Sequence, residues 1–324
     1  MLYAGLDIHK SFTQAILMSE TGEVIKKGKV ETSNEGLRNF FGGYTDVKIA
    51  IESTGIWQPV YEILESLGYD VRLSHPLKTK AIAYAKIKTD KIDAKVLADL
   101  LRAKLLPESY VPSSDVRALR NICRERKSLV CDRTRWKNKL RAELYKMRVE
   151  GIRDDLYTRA GKKWLLSLKL PKINRMLSII EFLDEKIEEI DKTLKEICIP
   201  DVKLLTSIPG VGNYSAVLIY SEIGDVNRFS HSEKLSFYAG LVPSTHQSSL
   251  HTRHGKITKE GSRYLRWVLT ECVQIHVSRY DTQLTRFYRR LVKRVGKQKA
   301  VIATARKLTK IIYWMLKNKE PFKG

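Results

Sequence analysis

The sequence predicts a mixed α/β domain, a helical coiled-coil connector and a mainly helical C-terminal domain. Three observations carry this: short apolar runs alternating with helical patterns up to about residue 110, a heptad of apolar residues before residue 200, and a final third of turns and basic helices. The expected divisions are 1–110, 111–200 and 201–324, and 324 residues suffice for two globular parts, each with its own core.

The apolar run Leu2 to Leu6 ends on Asp7, Phe12 to Met18 follows, and Ser19-Glu20-Thr21-Gly22 reads as a turn into Val24 to Val30, which together make a three-strand meander. Ser33 is placed to cap a short helix through Phe41. Val47 to Ile51 reads as a buried strand ending on Glu52, and Trp57 to Leu67 as a helix stopped by Gly68. Tyr69 to Leu73 supplies another strand. Pro76 suits the first turn of a helix, and Thr89 can cap the next, which runs to about Leu105 before Pro107.

From about Ser113 to Ile199 there is no strand pattern. Ile173, Met176, Ile180, Leu183, Ile187, Ile190, Leu194 and Ile197 alternate spacings of three and four, so every core position of a heptad is filled. Val116 to Met147 fits the same register, but Arg126 and Arg133 then fall on the seam. Either that helix is rotated, or its basic face meets phosphate. Beyond Asp201, Ile208-Pro209-Gly210-Val211-Gly212 sits between two helical patterns. It has the form of a helix-hairpin-helix turn, in which Gly210 and Gly212 let backbone N–H groups approach a phosphate; an ordinary tight turn is the plain alternative. The last stretch sets Arg286, Arg290, Lys297, Arg306 and Lys310 around Leu291, Val295, Ile302, Leu308 and Ile312, a basic amphipathic helix or pair suited to phosphate contact.

Lys and Arg number 59 against 36 Asp and Glu, a net charge of +23, which attracts a polyanion and makes nucleic acid the leading partner. No apolar run approaches the ~20 residues of a membrane span, and Asp7, His9 and Lys10 interrupt the opening apolar stretch where a signal peptide has none. A cytoplasmic protein is expected. Cys123, Cys131, Cys198 and Cys272 lie far apart without ligand spacing, so reduced thiols are expected, with neither a zinc site nor a disulfide framework.

Asp7 and Glu52 both stand where an apolar strand runs out, while Asp90 and Asp93 are three apart at a helix start and project from one face. Four converging carboxylates repel and raise one another's pKa unless cations neutralise them. Hard oxygen ligands suit Mg²⁺ or Mn²⁺, and two ions about 3.5–4 Å apart serve both oxygens of a phosphodiester displacement. An Asp on strand one, a Glu on a later strand and paired Asp on a helix is the order of RNase H-like nucleases.

Six segments resemble the DEDD transposases of the insertion-sequence one-ten family, described as bridge-RNA-guided recombinases. They are Gly5 to Lys10, Ile51 to Gly55, Lys88 to Ala94, Ile208 to Gly212, Gly240 to Pro243 and Gly255 to Gly261. The resemblance spans nearly the whole chain in the family's order. It implies a RuvC-like N-terminal domain holding Mg²⁺ on Asp7, Glu52, Asp90 and Asp93, a coiled-coil connector, and a C-terminal transposase domain with a serine nucleophile. Counting from both flanks places that serine at Ser248. The family's Ser-Gly pair is here Ser248-Ser249, which makes Ser249 the reserve candidate. Lys10, Arg253, Lys256, Lys259 and Arg263 are the expected nucleic-acid contacts around the two sites. The implied partners are donor and target DNA, a structured guide RNA and further copies of the chain as dimer or tetramer, in a prokaryotic cell and at the nucleoid when active. A RuvC-like structure-specific endonuclease or junction resolvase, using water without a covalent step, is the competing expectation.

Overall fold

The computed structural model describes residues 1–82, 90–152, 155–248 and 251–324, with backbone only at 91, 245–248 and 251–254. It contains two compact units, Met1–Val111 and Pro112–Gly324.

The first unit is built on a five-stranded sheet: β1 (Leu2–Ile8), β2 (Phe12–Met18), β3 (Val24–Glu31), β4 (Val47–Glu52) and β5 (Asp70–Ser74), in the order β3-β2-β1-β4-β5. The first three strands are antiparallel, as short turns require, while β4 and β5 run parallel to β1 because helices connect them. Those helices are α1 (Asn34–Phe41) and α2 (Trp57–Ser66), and the Ser33 hydroxyl caps α1 by accepting from the Gly36 N–H at 3.1 Å. One face of the sheet packs Leu6, Leu17, Ile49 and Ile51 with Leu37, Phe41 and Leu64; the other packs Tyr3, Ile16 and Ala50 with Ala94, Leu97, Ala98 and Leu101. The last four belong to α4 (Asp90–Arg102), which follows α3 (Pro76–Ile82). Helix α4 ends three residues before the expected Leu105: Lys104 takes φ +57° and the Leu105 N–H turns back to the Leu100 carbonyl, closing the helix before Pro107. Thr89, the expected cap, lies outside the described residues.

The second unit opens with a long antiparallel hairpin of α5 (Ser114–Lys146) and α7 (Pro171–Lys195). Its buried stripe on α7 is Ile173, Leu177, Ile180, Leu183, Ile187 and Leu194. Leu177 replaces the expected Met176, Ile190 is half-buried, and Ile197 lies beyond the helix end. The two arginines expected on the seam do lie there. Arg126 pairs with Asp191 at 2.5 Å and Arg133 with Asp184 at 2.6 Å, so the hairpin joins its helices by partly buried ion pairs as well as by leucines and isoleucines. These two guanidinium groups are therefore occupied within the protein. The distal end carries α6 (Arg159–Ser167), which the turn-rich sequence between Gly151 and Gly161 did not suggest. Its Leu165 joins Leu140, Leu144, Leu156 and Ile173 in a small core of their own.

The hairpin's base shares a core with α8 (Pro200–Thr206), α9 (Asn213–Ile223), α10 (Ser232–Tyr238), α11 (Arg263–Arg279), α12 (Gln283–Val295) and α13 (Lys297–Asn318), into which Cys123 and Leu194 reach. The expected basic helix pair is α12 and α13, broken at Gly296 with φ +79°. Val295, expected on its apolar backbone, is instead 42% exposed beside that break. A two-stranded antiparallel ribbon, β6 (Pro243–Ser248) and β7 (His251–Ile257), interrupts the helices. It was absent from the mainly helical expectation because its residues are polar and do not alternate.

Candidate metal centre and the serine ribbon

Helix α4 is brought to the sheet by a glycine. A Cβ on Gly5 would lie 2.0 Å from the Ala94 carbonyl oxygen and 2.6 Å from the Ala98 nitrogen, so only glycine lets the helix backbone rest on β1 there. Ala94 and Ala98 are fully buried in the same contact. That seating puts the first turn of α4 at the C-terminal end of β1, where Asp7 is 7% exposed.

His9 joins the two elements. Its Nε2 lies 3.2 Å from Asp7 Oδ2 and 3.3 Å from Asp90 Oδ2, and its ring stacks on Phe12 with centroids 4.5 Å apart. Asp7, His9 and Asp90 each offer one ligand atom, all within 4.8 Å of one another. Burial pushes the Asp7 carboxyl above the usual carboxylate range. The His9 charge and hydrogen bond pull it down, while Asp90 and Asp93 push it up again. Asp93 thus acts on the same centre from one helical turn along α4. Glu52 ends β4, whose Ile51 pairs with Leu6 of β1, so Asp7 and Glu52 follow at adjacent register positions on neighbouring parallel strands. The donor set is oxygen-rich and its acids repel, a combination that a hard divalent cation relieves, and the residues present fit such an ion. The sequence assigns His9 no role; its position two residues after Asp7, just past the end of β1, is the signal that places it beside the acids. Lys10 is exposed beside this centre.

In the second unit, Ser248 is the last residue of β6 and pairs with His251 of β7, which puts it at the tip of the ribbon. Ser249 lies outside the described residues. Arg253 pairs with His246 along the same ladder. Lys256 and Lys259 are exposed at the ribbon's base, and Arg263 opens α11 with its guanidinium donating to the Tyr264 hydroxyl at 3.1 Å. Gly212 is the exposed N-cap of α9, as an anion-binding turn needs. Gly210 has a different duty. At φ +87° its missing Cβ would meet the His276 nitrogen at 3.0 Å, so it serves close packing against α11, with His276 Nδ1 bonded to the Pro209 carbonyl at 2.6 Å.

Among the described residues, no helix is long and apolar enough to cross a membrane. A family model described as "Transposase", that of the DEDD transposases of the IS110 group, matches residues 4–148. A second, described as "Transposase IS116/IS110/IS902 family", matches residues 202–289. The chain is 27% identical to the transposase for insertion sequence element IS1111A of Coxiella burnetii, over 98% of this chain and 90% of that protein. It is 25% identical to a probable family 20 transposase of Pseudomonas aeruginosa, over 98% and 96% of the two chains. It is 28% identical to the pilin gene-inverting protein of Moraxella bovis, over 85% and 81%. The first model covers the acidic centre whole and the second covers the serine ribbon, and on these matches the chain belongs to the IS110 family of transposases, enzymes that process DNA.

Proposed function

We propose that this transposase moves an insertion sequence by RNA-guided strand exchange through a covalent serine intermediate, with its chemistry divided between a RuvC-like, RNase H-like domain at 1–110 and a transposase domain at 201–324, connected by the arm at 111–200. The observation that carries the reading is the meeting of Asp7 and Asp90, 83 residues apart, at the end of the central strand of a sheet ordered β3-β2-β1-β4-β5. Asp7, Glu52, Asp90 and Asp93 would hold Mg²⁺, or Mn²⁺, most simply as a pair. Bound there, the ions supply Lewis-acid stabilisation of the oxygens that exchange at phosphorus.

Ser248 is the nucleophile of this reading. Its Oγ forms a bond to the scissile phosphorus as the bond to the DNA 3′-oxygen breaks, and the hydroxyl proton leaves to a base. The phosphoserine ester keeps the energy of the original linkage, so a second 3′-hydroxyl reverses the step without ATP. The backbone position of Ser248 in the last pair of the ribbon's ladder is the support for reading it as the residue that meets the DNA backbone. In this reading Arg253 on the ribbon, Lys256 and Lys259 at its base and Arg263 at the start of α11 steady phosphates along the bound DNA, and Lys10 does the same at the acidic centre. The acids and the serine lie in separate units, so activity is expected only in an assembled dimer or tetramer. A structured guide RNA would select donor and target by base pairing while the +23 chain binds its shape and phosphates. A DNA-rearranging activity agrees with the gene inversion named for the Moraxella relative, and a cytoplasmic, nucleoid-associated location follows from the substrate.

The test is to incubate the protein with Mg²⁺, the RNA encoded beside its gene and nicked DNA, and to map any protein–DNA adduct by peptide mass. The expected adduct lies on the peptide with Ser248 and is lost in Ser248→Ala. An adduct lost instead in Ser249→Ala moves the nucleophile by one residue. Cleavage by water without adduct would favour a structure-specific endonuclease.

A further inference from the structure

Between the base of the β6–β7 ribbon and helices α12 and α13 lies a cleft of about 1070 Å³, large enough for a nucleotide and its neighbours. Its floor is apolar, with Leu241, Ile257, Phe287 and Ile302. Its walls are cationic: Lys256, Lys259, Lys299, Arg306 and Lys307 line it, and no acidic residue does among the described residues. Lys310 also lines it but is held by Glu233 at 2.5 Å. The other five have no acidic partner among the described residues. Arg306 Nε is buried without a hydrogen-bond acceptor, so a phosphate in the cleft would meet the outer nitrogens of that guanidinium rather than Nε. Lys307 Nζ lies over the Phe287 ring, 4.5 Å from its centroid, so an arriving base would take the place of the ammonium on that ring face and leave Lys307 to meet the phosphate.

We propose that this cleft binds an unstacked nucleotide, its base against Phe287 and its phosphate on Arg306, Lys299 and Lys307. The argument is one of exclusion by chemistry. An apolar floor has nothing to offer the backbone of a duplex, whose base faces are hidden in the stack, whereas a splayed strand exposes both a flat apolar base and a phosphate. A second copy of the chain is a poor occupant, since it also carries +23 and would bring cations to cations. A base face and a phosphate are common to single-stranded DNA and RNA, and the cleft reads that shared chemistry. Its place at the foot of the ribbon whose tip carries Ser248 would anchor the strand at a distance of several residues along the ribbon from the reacting phosphate. The proposal rests on the reading of the chain as a DNA-processing transposase, though not on the identity of the nucleophile.

The experiment uses the full chain with fluorescent single strands of about 12 nucleotides, near the site size of known single-strand grooves, as DNA and as RNA, and a duplex of the same sequence. Phe287→Leu keeps apolar volume but removes the ring, and is expected to weaken single-strand binding about tenfold while changing duplex binding little. Arg306→Gln should lower the slope of log affinity against log salt by about 0.7, the loss of one single-strand phosphate contact. Whichever of DNA and RNA suffers the larger loss identifies the occupant. Photocrosslinking of wild-type protein to a strand containing 5-iodouracil should map to α12, and this readout stands even where a variant fails to fold. Single-strand binding unchanged in both variants, or a crosslink mapping elsewhere, would overturn the proposal. A Ser248 adduct formed while these readouts fail removes the cleft alone; a crosslink at α12 without an adduct removes the serine step alone.

Discussion

Two buried carboxylates in this protein are treated in opposite ways. Glu222 on α9 is fully buried, yet every one of its demands is met: Arg124 donates from Nε and Nη2 at 2.8 and 3.1 Å, and Ser262 donates from Oγ at 2.7 Å. The arginine comes from α5 and the serine from the cap of α11, so the carboxylate ties the long helical hairpin to the helical core. Asp7 is nearly as buried, but it faces Asp90 and Asp93, with the part-exposed His9 as its hydrogen-bond partner. A satisfied buried acid is an architectural tie. A buried acid set among other acids is held at a cost the fold accepts for binding something cationic.

The largest effect tests how the costly site is held in place. Gly5→Ala should drive α4 off β1, because the new Cβ would overlap the Ala94 carbonyl, and displace Asp90 and Asp93 from Asp7. We expect DNA cleavage to fall by at least ~10²-fold, as for ångström-scale misplacement of reacting groups, with a loss of roughly 1–3 kcal/mol from overpacking. Unchanged cleavage would mean that α4 does not set the geometry of the centre. The second effect tests the architectural acid. Glu222→Ala leaves Arg124 without its partner inside the protein; such losses reach about 3–5 kcal/mol for fully buried pairs, and the 38% exposure of the Arg124 side chain reduces this to roughly 2–3 kcal/mol. Thermal unfolding should move down by roughly 5–10 °C. A neutral result would deny Glu222 its tying role.

How far the sequence announced these two sites differs for physical reasons. The sheet was legible because β1, β2 and β4 are short, mainly apolar runs, because turn residues such as Gly22 at φ +90° separate strands, and because Asp7 and Glu52 stand at strand ends. The convergence of Asp7 with Asp90 could be expected from their order along the chain. The part played by His9 could not, since a histidine's partner is fixed only in three dimensions. Glu222 gave no signal at all: its arginine is 98 residues away and its serine 40, and an isolated Glu in an apolar helix carries no pattern. The same holds for Arg126 and Arg133, whose acids lie 65 and 51 residues on, so that a stripe open to a phosphate reading is a set of internal ion pairs. The ribbon escaped notice because Ser244-Thr245-His246-Gln247-Ser248 has no apolar alternation to mark it as a strand. Gly210 was legible as a special residue but not in its purpose, for a tight turn at a helix start and a close approach to another helix ask for the same glycine.

The smallest effect separates the two acids most cleanly, because its sign is opposite. Since burial raises the Asp7 carboxyl above its ordinary value of 3.8, the folded protein holds that proton more tightly than the unfolded chain does. Below 3.8 both states are protonated and the site costs nothing on this account. As pH rises through 3.8 and past the raised folded value the penalty grows, and it is fully present at neutral pH. Asp7→Asn removes that charge. In a chelator, at neutral pH, it should therefore melt higher than the native protein, by an amount in the range of ~0.5–2 kcal/mol typical when a functional site is relaxed, and the advantage should shrink as the pH is taken down toward 4. Added Mg²⁺ should reverse the order, stabilising the native protein by mass action and the variant less. If Asp7→Asn instead melts lower in chelator, as Glu222→Ala does, then Asp7 is held by its neighbours as a tie, and the contrast between the two buried acids collapses.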